Sequence, residues 1–189
     1  MEIKSGDIMN NSISQIPAPK NEPVLNYAPD SIETRQLKES LVTLSKTEFE
    51  VPLVINGKSV RTGKIEKISS PHKHQQKLGH YHKAGPEEVK AAIQGALAVA
   101  KDWAAMPYQS RAAIFLKAAE LLATQYRPIL NAATMLGQSK TCYQAEIDSA
   151  CELIDFLRFN CYFQEQMYSM QPLSAPGMWN KMEYRPLEG

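Results

Sequence analysis

The sequence predicts an α/β fold: β-hairpins first, then a layer of helices, then a closing hairpin. Three observations carry this. The run Val51-Pro52-Leu53-Val54-Ile55-Asn56-Gly57-Lys58-Ser59-Val60 sets Asn-Gly between β-branched residues, the strongest short-range hairpin signal. From Gly85 onward the apolar spacing changes to a helical period, with start and stop signals at each break. After Pro172 the spacing returns to alternation.

In chain order, residues 1–30 are polar, carry Pro17, Pro19, Pro23 and Pro29, and read as an extended arm that is disordered unless it docks. Ser31 is placed to cap a helix over 32–46, with Ile32, Leu37, Leu41 and Leu44 on one face. The Asn56-Gly57 hairpin follows, then a second extended stretch, 65–83, broken at Ser70-Pro71. Gly79 and Gly85 read as bracketing a turn. Pro86 and Glu87-Glu88 open a helix with Val89, Ile93, Leu97 and Ala104 on one face. After Met106-Pro107 a second helix turns Ile114, Phe115, Ala118, Leu121 and Leu122 inward. Pro128 restarts a third helix, with Gly137 as its C-cap. Thr141 and Gln144 form a capping box for a fourth. Its inner face is Ile147, Cys151, Ile154, Leu157 and Cys161, and Leu153, Phe156 and Phe163 form a second apolar stripe. The fourth helix is expected to end at Pro172, and 178–187 to pair as a strand on 167–173. Trp103 and Trp179 read as packing residues.

The bulk composition narrows the function classes. A chain of 189 residues with 43% hydrophobic and 22% charged content fits one globular domain with a core. A net charge of +1 gives no electrostatic reason to expect nucleic acid or an anionic membrane as partner. No apolar run approaches the roughly 20 residues that cross a bilayer. Met1 to Asp7 has no apolar core of a secretory signal and is a poor transit peptide. Cys142, Cys151 and Cys161 fit a reducing cytoplasm better than a disulfide framework. These features predict a cytoplasmic location.

The order of parts resembles a known family. A Val-Ile-Asn-Gly-Lys hairpin, a Ser-Pro break, a Glu-Glu-Val helix with Asp102-Trp103 and a Ser110-Arg111-Ala112 helix resemble the entry region of the aldehyde dehydrogenase superfamily. Further segments resemble its branch acting on L-glutamate gamma-semialdehyde: 114–122, Gln144-Ala145-Glu146-Ile147-Asp148, 152–160, Tyr184-Arg185-Pro186-Leu187-Glu188-Gly189, and Asn21-Glu22-Pro23-Val24. The resemblance implies a reaction in which a cysteine thiolate attacks the aldehyde, a hydride passes to NAD, and the thioester is hydrolysed. It also implies that the nucleophile, the base, the oxyanion asparagine and the dinucleotide site lie beyond Gly189, so no catalytic or cofactor-binding residue is assigned within 1–189. The segment alone is expected to be inactive. Residues 31–163 are expected to pack on a cofactor-binding domain. Residues 164–189 are expected to begin a hairpin of the oligomerisation sheet, making a homo-oligomer. A short non-catalytic interaction module on the same scaffold is the competing reading.

Within the chain, Glu152 and Phe156 are the candidates for a substrate tunnel. A carboxylate inside a doubly apolar helix is rarely left unpaired, and by the resemblance this helix borders the aldehyde entry. A surface charge or a structural ion pair is the alternative for Glu152; Asp155 and Arg158 read as structural. Cys142, near a helix N-terminus and Lys140, sits where a thiol pKa is lowered, but it equally fits a small buried hydrophobe. His72, His74, His80 and His82 lie two apart in strands and present same-face pairs suited to zinc, copper or nickel. No carboxylate or cysteine completes such a site locally, so no metal is assigned.

Overall fold

A computed structural model describes residues 14–187 of the chain. The hairpin of β2 (Leu53–Ile55) and β3 (Lys58–Val60) closes through Asn56 and Gly57 at φ of 53° and 70°. Two consecutive left-handed residues are what a type I′ turn requires, which is why Asn-Gly sits there. The second expected hairpin also forms: β4 (Ile65–Ser70) and β5 (Lys73–His82) pair antiparallel across the Pro71 break, with register irregularities at Ile68–Ser70.

The sheet contains a strand that periodicity did not reveal. Three-residue β1 (Phe49–Val51) pairs parallel with β5, opposing Phe49 to Gly79 and Glu50 to His80, so the order is β1-β5-β4. Pro52 explains the division: it has no N–H to donate, so residues on either side serve different sheets. Gly79 is therefore not a turn residue. It lies inside β5, where a Cβ would stand 2.1 Å from the carbonyl oxygen of Phe49. Only a glycine lets the two backbones approach that closely.

The helices begin where the local chemistry places them. Ser31 caps α1 (Ile32–Lys46) by accepting from Thr34 N at 3.3 Å. Glu88 reaches back to Gly85 N at 2.7 Å and opens α2 (Pro86–Ala105). Helix α3 is Tyr108–Ala123 and α4 is Arg127–Gln138. Helix α4 runs through Gly137 and stops at Ser139, which takes the left-handed conformation at φ 59°. The expected glycine cap thus moves two residues on, and the Ser139 hydroxyl meets His72 Nδ1 at 2.8 Å. Thr141 and Gln144 do form a capping box, for α5 (Cys142–Ala145). The expected single fourth helix is interrupted: a π-helical segment, Glu146–Cys151, joins α5 to α6 (Glu152–Ser169). An expected boundary at 163/164 falls inside α6.

The core lies along the seam of α3 against α6. Ala119, Ala150 and Ile154 are fully buried, with Leu122 and Leu157 packed around them. A second cluster joins Ile16, Ala112 and Cys161 under Tyr108, Leu116 and Tyr162. Alanines at 112 and 119 let the two helices approach closely; Leu122 packs inward as expected, but the first turns of the expected face do not. Ile114 and Phe115 are exposed. Helix α2 buries no residue; Val89, Ile93 and Leu97 share one face, but that face is open. The stripe of Leu153, Phe156 and Phe163 is likewise exposed, and Ile32 does not join Leu37 in the core.

The C-terminal segment departs most from expectation. Helix α6 ends at Ser169, before Pro172, and no strand forms among the described residues 170–187. The chain does turn back at Pro176-Gly177, with Met178 N donating to Ala175 O at 3.0 Å. Side chains, not a backbone ladder, bridge the two arms: Gln171 bonds both the N and O of Met182, and Asn180 bonds Leu173 O and Ser174 Oγ. Trp179 is 93% exposed, so it is not a packing residue here, whereas Trp103 meets Phe115 edge-on at 6.4 Å.

Gly79→Ala tests the sheet. The added Cβ collides with backbone, which cannot rotate away, so β1 must separate from β5. Overpacking of this kind costs about 1–3 kcal/mol, and a urea denaturation series is expected to show that loss; an unchanged midpoint contradicts the β1–β5 pairing.

Candidate functional site

The most concentrated chemistry lies where the arm crosses α4, the π segment and α6. Glu146, fully buried, is the centre. Its carboxylate accepts from the Arg127 guanidinium, Asn131 Nδ2 at 2.8 Å, Tyr27 OH at 2.8 Å and Leu25 N at 2.8 Å. Arg127 also donates to Glu22 Oε1 at 2.5 Å and to Pro23 O at 2.7 Å. Arg158 donates to the other Glu22 oxygen at 2.5 Å. Asp155 accepts from Asn21 Nδ2 and Glu22 N, each at 2.8 Å. The cluster therefore alternates sign: Arg158, Glu22, Arg127, Glu146. A buried charge is tolerable only when opposed and hydrogen-bonded in this way.

The electrostatics follow from that geometry. Burial by itself raises the Glu146 pKa, but hydrogen bonds from Arg127, Leu25 N, Tyr27 and Asn131 outweigh it and hold the group below the usual carboxylate range. Burial opposes the Arg127 charge too, yet the carboxylates of Glu146 and Glu22 push its pKa above the ordinary value. Tyr27 is raised by burial and by its bond to Glu146. Among the described residues the one buried side-chain polar atom without a partner is Asn131 Oδ1.

This network was not foreseen, although the sequence held a clue. Arg127 stands at the first position of α4, where the helix dipole disfavours a cation. A basic residue in that place calls for a specific carboxylate. The π segment supplies it: its widened turn carries Glu146 inward, while Ser149 Oγ donates to Thr134 Oγ1 at 2.7 Å. π turns often mark functional positions.

The expected tunnel pair, Glu152 and Phe156, begins immediately after the π segment. The two lie one helical turn apart in α6 and share an exposed face. Glu152 is thus not enclosed by apolar stripes, and the buried carboxylate of this helical run is Glu146. Phe156 is 60% exposed and borders an open groove of about 700 Å³ with Phe115, Met167 and Tyr184.

The histidines separate. His72 pairs with Ser139 and Ser70. His80 and His82 share a face of β5, and Glu50 from β1 joins them, with one ligand atom from each within 4.8 Å of the others. The carboxylate comes from outside the local stretch, because β1 pairs beside β5. The protons nevertheless argue for a hydrogen-bonded role. Gly63 N donates to His82 Nδ1 at 3.2 Å, so a neutral ring carries its proton on Nε2, facing Glu50 Oε1 at 3.1 Å. A metal on Nε2 would shift that proton to Nδ1, against the Gly63 N–H. Arg61 Nε already occupies the other Glu50 oxygen at 2.8 Å.

Cys142 is no activated thiol. Burial raises its pKa and the Glu146 charge raises it further, while Lys140, expected to lower it, is engaged by Asp148 Oδ2 at 2.6 Å. Cys151 is pushed up to about 11 by burial and by Glu146.

Removing Arg127 leaves Glu146 buried without its cation. Arg127→Leu is expected to destabilise the chain by about 3–5 kcal/mol, with Glu22→Gln costing less because Arg127 keeps Glu146 as its partner. Because the folded-state pKa of Glu146 is depressed, its stabilisation is full above the unfolded carboxylate value of ~4.3 and is lost as pH falls through the lower folded value. Denaturant midpoints measured against pH check both; equal stability of Arg127→Leu and wild type contradicts the assignment.

The model of the aldehyde dehydrogenase family matches residues 58–189. The delta-1-pyrroline-5-carboxylate dehydrogenase of Agaricus bisporus is 51% identical over 177 residues, covering 93% of this chain and 32% of that protein. The human mitochondrial delta-1-pyrroline-5-carboxylate dehydrogenase is 40% identical over 169 residues, 89% of this chain and 30% of that protein. The Mycobacterium tuberculosis delta-pyrroline-5-carboxylate dehydrogenase solved with bound NAD superposes with a TM-score of 0.93 at 46% identity, covering 95% of this chain and 34% of that one. The chain thus spans about a third of the length of the relatives it matches. It has the architecture of the N-terminal part of the aldehyde dehydrogenase fold, and it belongs to the aldehyde dehydrogenase family.

Proposed function

We propose that the chain serves as the scaffold segment of an NAD-dependent dehydrogenase that oxidises L-glutamate gamma-semialdehyde, the open form of delta-1-pyrroline-5-carboxylate, to L-glutamate in proline degradation. The observation that carries this reading is the joint match in sequence and backbone to enzymes named for that substrate, at 46% identity and a TM-score of 0.93. In this reaction NAD accepts the hydride of the aldehyde carbon. The sequence has no Gly-x-Gly-x-x-Gly fingerprint, and we assign none of its residues to the cofactor or to the chemical step.

The open apolar faces support a scaffold role over a self-contained module. Ile93 and Leu97 on α2 are more than half exposed, and so is Phe163 on α6. Exposed apolar surface on this scale fits a contact face, here toward a cofactor-binding domain. Residues 164–189 supply the oligomer contact in this reading; Leu173 and Trp179 stand almost wholly in solvent there. Glu188 and Gly189 lie outside the described residues. No described helix is long and apolar enough to cross a membrane. The three cysteines are free, which fits the reducing cytoplasm of this reading, although the human and Dictyostelium relatives carry "mitochondrial" in their names.

Glu152 and Phe156 form the tunnel wall in this proposal. Phe156 presents an apolar surface to the aldehyde's carbon chain. Glu152, exposed and without a cation partner among the described residues, is placed to meet the ammonium group of the amino-acid aldehyde. The test uses a full-length enzyme containing this segment. A charge-assisted hydrogen bond is worth about 1.5–3 kcal/mol. Glu152→Ala is therefore expected to lower kcat/KM for glutamate semialdehyde roughly 10- to 150-fold more than for an unsubstituted aliphatic aldehyde. Equal losses on both substrates remove Glu152 from the tunnel.

A further inference from the structure

Residues 14–27 have no regular secondary structure, yet three of their backbone N–H groups end on carboxylates of one helical run. Ile16 N donates to both oxygens of Glu165, at 2.9 and 3.0 Å. Glu22 N donates to Asp155 at 2.8 Å, and Leu25 N to Glu146 at 2.8 Å. The order is reversed along the helix, so the arm runs antiparallel to α6 and is held at spaced points through its backbone.

The arm contributes little to the apolar core. Ile16 is its one buried apolar residue among those described, and Val24 is 50% exposed. The cluster of Ala119, Ala150 and Ile154 closes without it. Its junction with α1 is strained: Tyr27 and Asp30 hold φ of 50° and 62° without being glycines. Such a backbone costs about 1–3 kcal/mol and persists only when surrounding contacts enforce it. For Tyr27 those contacts are its hydroxyl bonds to Glu146 and Asn131. A segment held by polar latches and strained at its root has the makings of a separately opening unit.

We propose that residues 14–27 form a strap, latched at Glu146, Asp155 and Glu165, that lifts as a unit while the α3–α6 core stays folded. Lifting uncovers Cys151, whose Sγ sits 3.8 Å from Pro23 O under the strap. The charged and titratable groups around the central latch are Arg127 from α4, Tyr27 and Glu22 from the strap, Cys142 from α5, Cys151 from the π segment and Arg158 from α6. Neutralising Glu146 removes the acceptor charge from Leu25 N and Tyr27 together, and from Arg127 and Asn131 of α4, while the apolar cluster of Ala119, Ala150 and Ile154 does not include it.

Amide hydrogen exchange followed by NMR on the full 189-residue chain at pH 7 tests this. In the unmodified chain, the amides of Ile16, Glu22 and Leu25 are expected to share one protection level, below that of Ile154. Glu146→Gln is expected to lower the Leu25 protection roughly 10-fold, the size of a lost charge-assisted bond, and to speed disulfide-exchange labelling of Cys151, with Ile154 remaining better protected than the strap amides. Asp155→Ala combined with Glu165→Ala acts on half-buried partners and is expected to lower Ile16 and Glu22 protection even where Glu146→Gln fails to fold. Strap amides and Ile154 at one common protection level in the unmodified chain overturn the proposal, because the strap then opens only with the core; so does unchanged strap protection in the Asp155/Glu165 variant.

Discussion

One carboxylate organises the chain. Glu146 has no contact with solvent, and its four donors come from two elements: Leu25 and Tyr27 in the arm, Arg127 and Asn131 in α4. The π segment exists at that point in the helical run and turns the carboxylate inward. Arg127 in turn holds Glu22, and Glu22 holds Arg158. Arm, α4 and α6 are therefore tied by one alternating chain of charges, where a larger domain would use apolar packing. The core offers little else for the purpose, since its fully buried members are mainly alanines with Ile154.

The opposite faces of the same helices are left open. Along α6, the residues that bind the arm and α3 alternate with Leu153, Phe156 and Phe163, which face solvent. Helix α2 meets the β2–β3 hairpin: a Cβ on Gly95 would stand 1.6 Å from Asn56 Oδ1. Its apolar side chains point elsewhere. This division into one satisfied face and one open face is the physical content of the scaffold reading. It also accounts for the position of Glu152, fixed just after the π segment by Glu146 and Arg127 but itself turned outward.

What was legible in the sequence is what local chemistry determines. Asn56-Gly57, Ser31, Pro86 with Glu88, and Thr141 with Gln144 each act within a few residues, and each sits where its side chain predicts. The apolar periodicities were also real, but periodicity says that a face is apolar, not that its partner is present. That is why α2 and the second stripe of α6 are exposed. The remaining differences are long-range. Strand β1 is too short to show a period and is set by a parallel partner about 30 residues away. Glu146 looked like one charge in a helix because its partners lie more than 100 residues earlier and 19 residues earlier. The same reason hid Glu50 from the histidines of β5. In the final segment, alternation was present but the backbone groups are bridged by Gln171 and Asn180 instead of by a second strand.

The central claim is that Glu146 is ionised in its buried position and holds arm and helices together by that charge. The most direct measurement is a carbon-13 NMR titration of the Glu146 side-chain carboxyl in the folded chain. The account predicts a midpoint clearly below the ordinary glutamate value of ~4.3, with the Leu25 amide and Tyr27 ring signals shifting in the same step. A midpoint at or above the ordinary value would mean that desolvation outweighs the four donors, and would contradict the account.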